Sequence, residues 1–152
     1  MPTTVNYSGR NVDIALFDNN ASGNPVSLGI RPTALAVTGK LKASQNYIKA
    51  MLSTSGERLE DPSYGSSLIA NLMSKNISFP IQIQQAFSSQ SALTLRWIKS
   101  QYTSTTPLDE QINTVTLLNY SIQATSISLS LQLSTQAGET AVFYLPVAWG
   151  TP

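Results

Sequence analysis

Glu57, Glu60 and Asp61 are three of the eight carboxylates of this chain, gathered in one short stretch of a sparsely charged sequence. A glycosidase needs two carboxyl groups about 5–9 Å apart, one as acid and one as nucleophile or base. Glu57 and Asp61 are four residues apart, so a helical turn would give them such a spacing. Gly56 and Pro62 bracket the pair, however, and both residues break helical turns. Arg58 lies between them and favours ionised carboxylates over the raised pKa that a general acid needs. These residues fit carboxylates that accept hydrogen bonds from loop amides or pair with Arg58 or Arg96. The segment is expected to shape a contact surface rather than to catalyse.

Other chemistry is narrowed by what the chain lacks. It has no Cys and no His, which removes thiolate nucleophiles, Ser-His-Asp triads, disulfides and His-based metal sites. No cofactor is expected. Ser22-Gly23-Asn24-Pro25 has neither the spacing nor the Lys of a phosphate-binding loop. The six tyrosines are scattered with no basic residues between them, and net charge is +1, so neither nucleic acid nor an anionic membrane is an expected partner. Arg96-Trp97 could form a stacking or partner contact, or simply a core Trp beside a surface Arg.

Only 11% of the residues are charged, against about 25% in ordinary soluble domains. Ser, Thr, Asn and Gln supply the polarity instead. Such a surface has little charge to hold neighbours apart and suits permanent burial in an assembly. The N-terminus has neither a basic start nor an apolar core, so no secretory signal is expected there.

The elements that must position these residues can be read from periodicity and turn signals. Residues 1–33 read as an irregular arm, with a short strand near 12–17 and a turn over 18–25 rich in Asn, Gly and Pro. A second short strand precedes Thr38-Gly39. Leu41, Ile48, Met51 and Leu52 share one side of a helix over about 40–53, which Gly56 stops. Asp61-Pro62-Ser63-Tyr64-Gly65 reads as a tight turn, and Ser66 or Ser67 as the cap of a short helix over 68–73. A longer helix over 80–101 opens on Pro80, with Ile83, Ala86, Phe87, Leu93 and Trp97 on one face. Strands follow at 114–118, 127–133 and 141–145. Ile127, Leu129, Leu131 and Leu133 alternate with hydroxyls and amides. An uncharged strand of this kind, left as an open edge, invites aggregation; it must be central in its own sheet or covered by a partner. The expected fold is α+β: one domain over 34–152, with two main helices packed on a small antiparallel sheet that ends in a C-terminal β-hairpin.

Thr54, Gly56-Glu57-Arg58, Asp61-Pro62 and Tyr64-Gly65-Ser66-x-Leu68 follow a helix with Gln45, Ile48 and Leu52 at inner positions, and precede a longer helix and a hairpin. Over roughly 34–147 this succession resembles the lysozyme-like baseplate wedge family of contractile phage tails and related injection machines. The resemblance implies a domain like the handshake domain of a sheath subunit. It implies a structural role in the virion tail baseplate after assembly in the host cytoplasm. There the protein would be present in several copies of a sixfold assembly, join baseplate to sheath, and template the first sheath ring by β-strand augmentation. The implied partners are the tail-sheath protein and other baseplate wedge proteins, with tube or hub proteins as further contacts. Family members often carry a Glu-Pro-Arg triplet after the long helix, which docks on the wedge core; residues 95–99 hold none.

The surface residues expected to meet partners are Glu57, Arg58, Asp61, Tyr64, Arg96, Trp97, Ile127, Leu129, Leu131, Leu133, Val142 and Tyr144. Two other readings stay open: a peptidoglycan-lytic enzyme using Glu57 and Asp61, and a different structural protein of the tail.

Overall fold

A computed structural model of the chain describes residues 13–14, 36–73, 80–123 and 126–148. The elements in order are β1 (Asp13–Ile14), β2 (Ala36–Val37), α1 (Gly39–Leu52), α2 (Leu68–Met73), α3 (Pro80–Ser100), β3 (Ile112–Ile122), β4 (Ser126–Thr135) and β5 (Thr140–Ala148). The fold is α+β, with the two main helices on one face of a three-stranded antiparallel sheet. Most of the expected N-terminal arm lies outside the described residues. Of it, β1 pairs antiparallel with β2, Asp13 opposite Val37.

The sheet order is β3-β4-β5. The alternating strand β4 is therefore internal, flanked on both sides, and the unpaired edges belong to β3 and β5. Its burial alternates without a break. Ile127, Leu129, Leu131 and Leu133 are almost fully inaccessible, and Phe143, Leu145 and Val147 of β5 join them in one core. Burying each such aliphatic side chain is worth about 1.5–3 kcal/mol. The four β4 residues expected at a partner surface are thus core residues. The period-2 pattern identified a buried face but could not say what covers it; here α1 lies over β4 and β5 and α3 reaches β3.

Ile48 and Met51 of α1 and Ile83 and Phe87 of α3 are buried as expected, but the rest of each buried face differs from the apolar pattern. On α1 the buried set is built from small and mixed residues, Ala43, Ser44, Gln45, Tyr47, Ile48, Ala50 and Met51, while Leu41 turns partly outward. On α3 it is Ile83, Phe87, Ser91, Thr94 and Ile98, and Leu93 points to solvent. Ser91 and Thr94 are the polar residues of this buried set. The Tyr47 hydroxyl and Ser91 Oγ lie 2.8 Å apart across the α1–α3 contact. Burial pushes the Tyr47 phenol far above its ordinary pKa, the bond to Ser91 offsetting part of the rise. Ser88-Ser89 does not interrupt α3, which runs unbroken to Ser100.

A carboxylate from far along the chain completes the start of α1. Thr38 makes no side-chain cap. Instead the Gly39 N–H points to Glu110 Oε1 at 3.4 Å, and Lys42 Nζ donates to Glu110 Oε2 at 2.8 Å. Glu110 is nearly buried, so the pair ties the helix start to the turn that leads into β3.

Leu131→Ala, at the centre of β4, is expected to lower stability by about 2–5 kcal/mol through lost burial and a residual cavity. Urea unfolding followed by circular dichroism measures the shift; a change confined to assembly, with stability untouched, would place Leu131 at a surface instead.

Candidate partner interface

The carboxylate-rich loop between α1 and α2 is tied back on itself and clasped to α3. Its two ends meet: Ser66 N donates to the Ser53 carbonyl at 2.8 Å, Ser66 Oγ donates to the Met51 carbonyl at 2.8 Å, and Thr54 bridges Ser66 in parallel. Ser66 Oγ also accepts from Leu68 N at 3.2 Å, which starts α2. Gly65 makes this crossing possible. Its φ is +101°, and a Cβ there would lie 2.7 Å from the Ser53 carbonyl oxygen and 2.8 Å from Thr54 backbone atoms.

Within that frame, Trp97 of α3 is the anchor. Its Nε1–H donates to Asp61 Oδ2 at 2.7 Å. The Tyr64 ring meets it edge-on, with centroids 4.7 Å apart, and the Arg58 guanidinium lies over the Tyr64 ring, 3.8 Å from its centroid. An edge-on aromatic pair contributes about 0.5–1.5 kcal/mol beyond area burial. Asp61 also accepts from the Ser63 N–H and hydroxyl, closing a local turn. These bonds, led by that from the Ser63 hydroxyl, hold the Asp61 carboxyl below the usual carboxylate range. Glu57 accepts from Thr54 N at 3.3 Å within its own loop.

The arrangement has little capacity for acid–base chemistry. Asp61 is stabilised as the anion, the opposite of what a general acid requires. Glu57 is exposed, with no apolar pocket around it. Among the described residues no group of three acidic side chains could hold a metal ion. Both carboxylates act as acceptors for loop donors, in line with the sequence expectation.

The expected interface residues fall into separate places. Arg58, Asp61, Tyr64 and Trp97 form the clasp, while Glu57 stays within its loop, bonded to Thr54 N. Arg96 is exposed on the outer side of α3, in a shallow depression with Leu93, Gln90 and Ser55. Val142 and Tyr144 stand on the sheet face opposite the helices, across from Gln132 and Ser130 of β4. Ile127, Leu129, Leu131 and Leu133 are withdrawn into the core.

The sheet itself is the feature that sequence reading underused. From 112 to 148 the only charged residue is Glu139, in the turn between β4 and β5. The face away from the helices carries Thr114, Thr116, Asn119 and Ser121 beside the even-numbered hydroxyls and amides of β4. Natural edge strands are commonly blunted by Lys, Pro or bulges. On β3 the available devices are two register shifts, around Asn113 and around Leu118, and a single lysine from outside the sheet, Lys99, whose Nζ donates to the Asn113 carbonyl at 2.9 Å.

Gly65→Ala is expected to destabilise the fold, since both its positive φ and the contact with Ser53 exclude a Cβ; thermal unfolding reads this directly. The Asp61–Trp97 contact also has a pH signature. A carboxyl whose folded pKa is lowered adds stability above its unfolded value, about 4. That increment is lost as pH falls through the folded value. Acid titration of stability should therefore be shallower in Asp61→Asn than in the parent chain, and an unchanged profile would show that the hydrogen bonds to Asp61, from Ser63 first and Trp97 second, are not formed in solution. A comparison with protein-family models finds no match, and comparisons with curated proteins and with solved structures find no significant match either.

Proposed function

We propose that the protein is a structural subunit of a contractile tail baseplate wedge, which joins baseplate to sheath and templates the first sheath ring by accepting strands onto its sheet. The observation that carries the reading is the sheet: three strands almost free of charge, with the most aggregation-prone strand internal and two uncharged outer edges left unpaired among the described residues. A soluble domain working alone would be expected to protect such edges. A subunit whose edges are completed by neighbours need not, because backbone hydrogen bonds from an added strand satisfy them.

A preordered edge also has kinetic value. The first sheath ring must otherwise order its own arms while it docks, and a fixed template removes part of that ordering cost. The clasp of Asp61, Tyr64 and Trp97 fits the same role, as it holds α1, α2 and α3 in fixed relation above the sheet. The proposed partners are the tail-sheath protein and the other wedge subunits, in the baseplate of a phage tail or a related injection machine. No catalytic step is assigned, since both carboxylates of the lytic reading are used by the loop.

Removing the gene from a contractile particle is expected to leave baseplates or bare tubes without sheath, visible by negative-stain electron microscopy. Complementation by Glu57→Gln should restore full sheaths, because its role is confined to one exposed loop bond. Normal sheaths in the absence of the protein would overturn the reading, and loss of peptidoglycan lysis in Glu57→Gln with assembly intact would replace it with the enzymatic one.

A further inference from the structure

The two outer edges of the sheet are not equivalent. β5 includes Pro146, opposite Ser128 of β4, and Pro has no N–H to offer. A proline within a sheet sits where its missing donor faces away from the ladder, so the free edge of β5 is one donor short. β3 contains no proline along its eleven residues.

Within β3, two contacts mark which backbone groups face outward and where the open stretch ends. The Asn113 carbonyl receives Lys99 Nζ from α3, so it faces away from β4. Successive residues of a strand turn their backbone groups to opposite sides. The register with β4 is regular from Thr114 to Leu117. Thr135 N donates to the Glu139 carbonyl and so faces β5; by alternation Ser134 and Gln132 face β3, their partners Thr114 and Thr116 turn inward, and Val115 and Leu117 present their N–H and C=O groups on the outer edge. Beyond the register shift, Tyr120 N is bonded to the Asn119 side chain at 2.8 Å. Among the described residues, the uncapped part of the edge is thus a short window centred on Val115 to Leu117, closed by Lys99 at one end and Asn119 at the other.

A groove of about 410 Å³ runs alongside that window, between β3 and α3. Its floor and walls include Phe87, Ala92 and Leu95 of α3, with Gln84, Ser88 and Ser91 as the polar members of that helix, beside Val115 to Leu117. None of the groove residues is charged. An occupant that placed a charged side chain there would lose its hydration without gaining a partner. Unpaired strand groups at one side and an uncharged, largely apolar wall at the other specify the occupant.

Resting on the assembly reading above, we infer that the Val115–Leu117 edge of β3, with the α3 groove beside it, is the strand-accepting site, and that its occupant is a short extended segment of a partner subunit with uncharged, apolar side chains at the alternate positions facing α3. Its backbone pairs with Val115 and Leu117. Its inward side chains lie over Phe87, Ala92 and Leu95. Lys99 and Asn119 set the length of the pairing and so its register.

Two variants test the site without entering the core. Val115→Pro removes one outward N–H and leaves the ladder to β4 intact. Ala92→Trp fills the groove from an exposed helix position. Each is co-expressed as the full chain with the sheath protein of the same particle and purified through a tag on the sheath protein, with circular dichroism to verify folding. A third variant, Val142→Pro, alters the β5 edge as the comparison. Wild type should be retained, and both β3-side variants should fall to the level of an unrelated control protein while remaining folded. If either variant misfolds, hydrogen exchange of the wild-type complex decides: the Val115 and Leu117 amides should become protected on binding. Retention of the β3-side variants with loss of Val142→Pro, or binding without protection at Val115 and Leu117, overturns the site while leaving the assembly role standing. Failure of the wild-type chain to bind the sheath protein overturns the assembly reading and this inference with it. Self-association of the purified chain that Val115→Pro abolishes assigns the edge to a second copy and overturns the proposed occupant.

Discussion

β3, β5, α1 and α3 are arranged to keep one face of β4 dry. Ile127, Leu129, Leu131 and Leu133 project together from its odd positions, and no charge or turn former interrupts them. β3 and β5 take up its backbone groups on both sides, α1 roofs its centre, and α3 closes the flank over β3. The loop clasp follows from this demand. For α1 and α3 to lie side by side on one sheet, the chain must leave α1, turn, and come back across its own end within a short loop. Gly65 permits the crossing and Trp97 secures it.

The way the helices meet explains much of what could and could not be read from the residues alone. Strand alternation and turn chemistry are local, so the three C-terminal strands, the turn at Gln136–Glu139 and the 68–73 helix are all legible from residue order. Gly56, Pro62 and Gly65 likewise announce a tight, fixed loop. The covered side of each helix is decided by its neighbour. Leu41 and Leu93 are apolar yet face outward, while Ser91 and Thr94 lie inside. No periodicity of apolar residues could find Ser91, whose place depends on Tyr47 more than forty positions earlier. The tie from Glu110 to Gly39 and Lys42 has the same long-range character.

The candidate surface shows a similar division. The clasp residues were visible as an unusual cluster of acidic, aromatic and turn-forming types, and the structure brings most of them together around Trp97. Leu129 and its companions carried a strong signal of burial, but one strand cannot reveal whether its own chain or another covers it. Sheet order answers that, and it moves attention from β4 to β3. There the meaningful groups are backbone N–H and C=O, which leave no trace in residue identity. The nearest sequence signal was the long absence of charge between 112 and 148, interrupted only at Glu139.

That absence has an electrical consequence. Ion pairs between subunits weaken as salt screens them, over about 10 Å at 0.1 M, and they rearrange as carboxylates or amines titrate. A sheet whose single ionised side chain sits in a remote turn offers almost nothing for salt or mild acid to act on. A joint made there is held by peptide dipoles and excluded water, and its strength is nearly indifferent to ionic medium. Such a joint suits a particle that must keep its parts registered while moving between surroundings of very different composition.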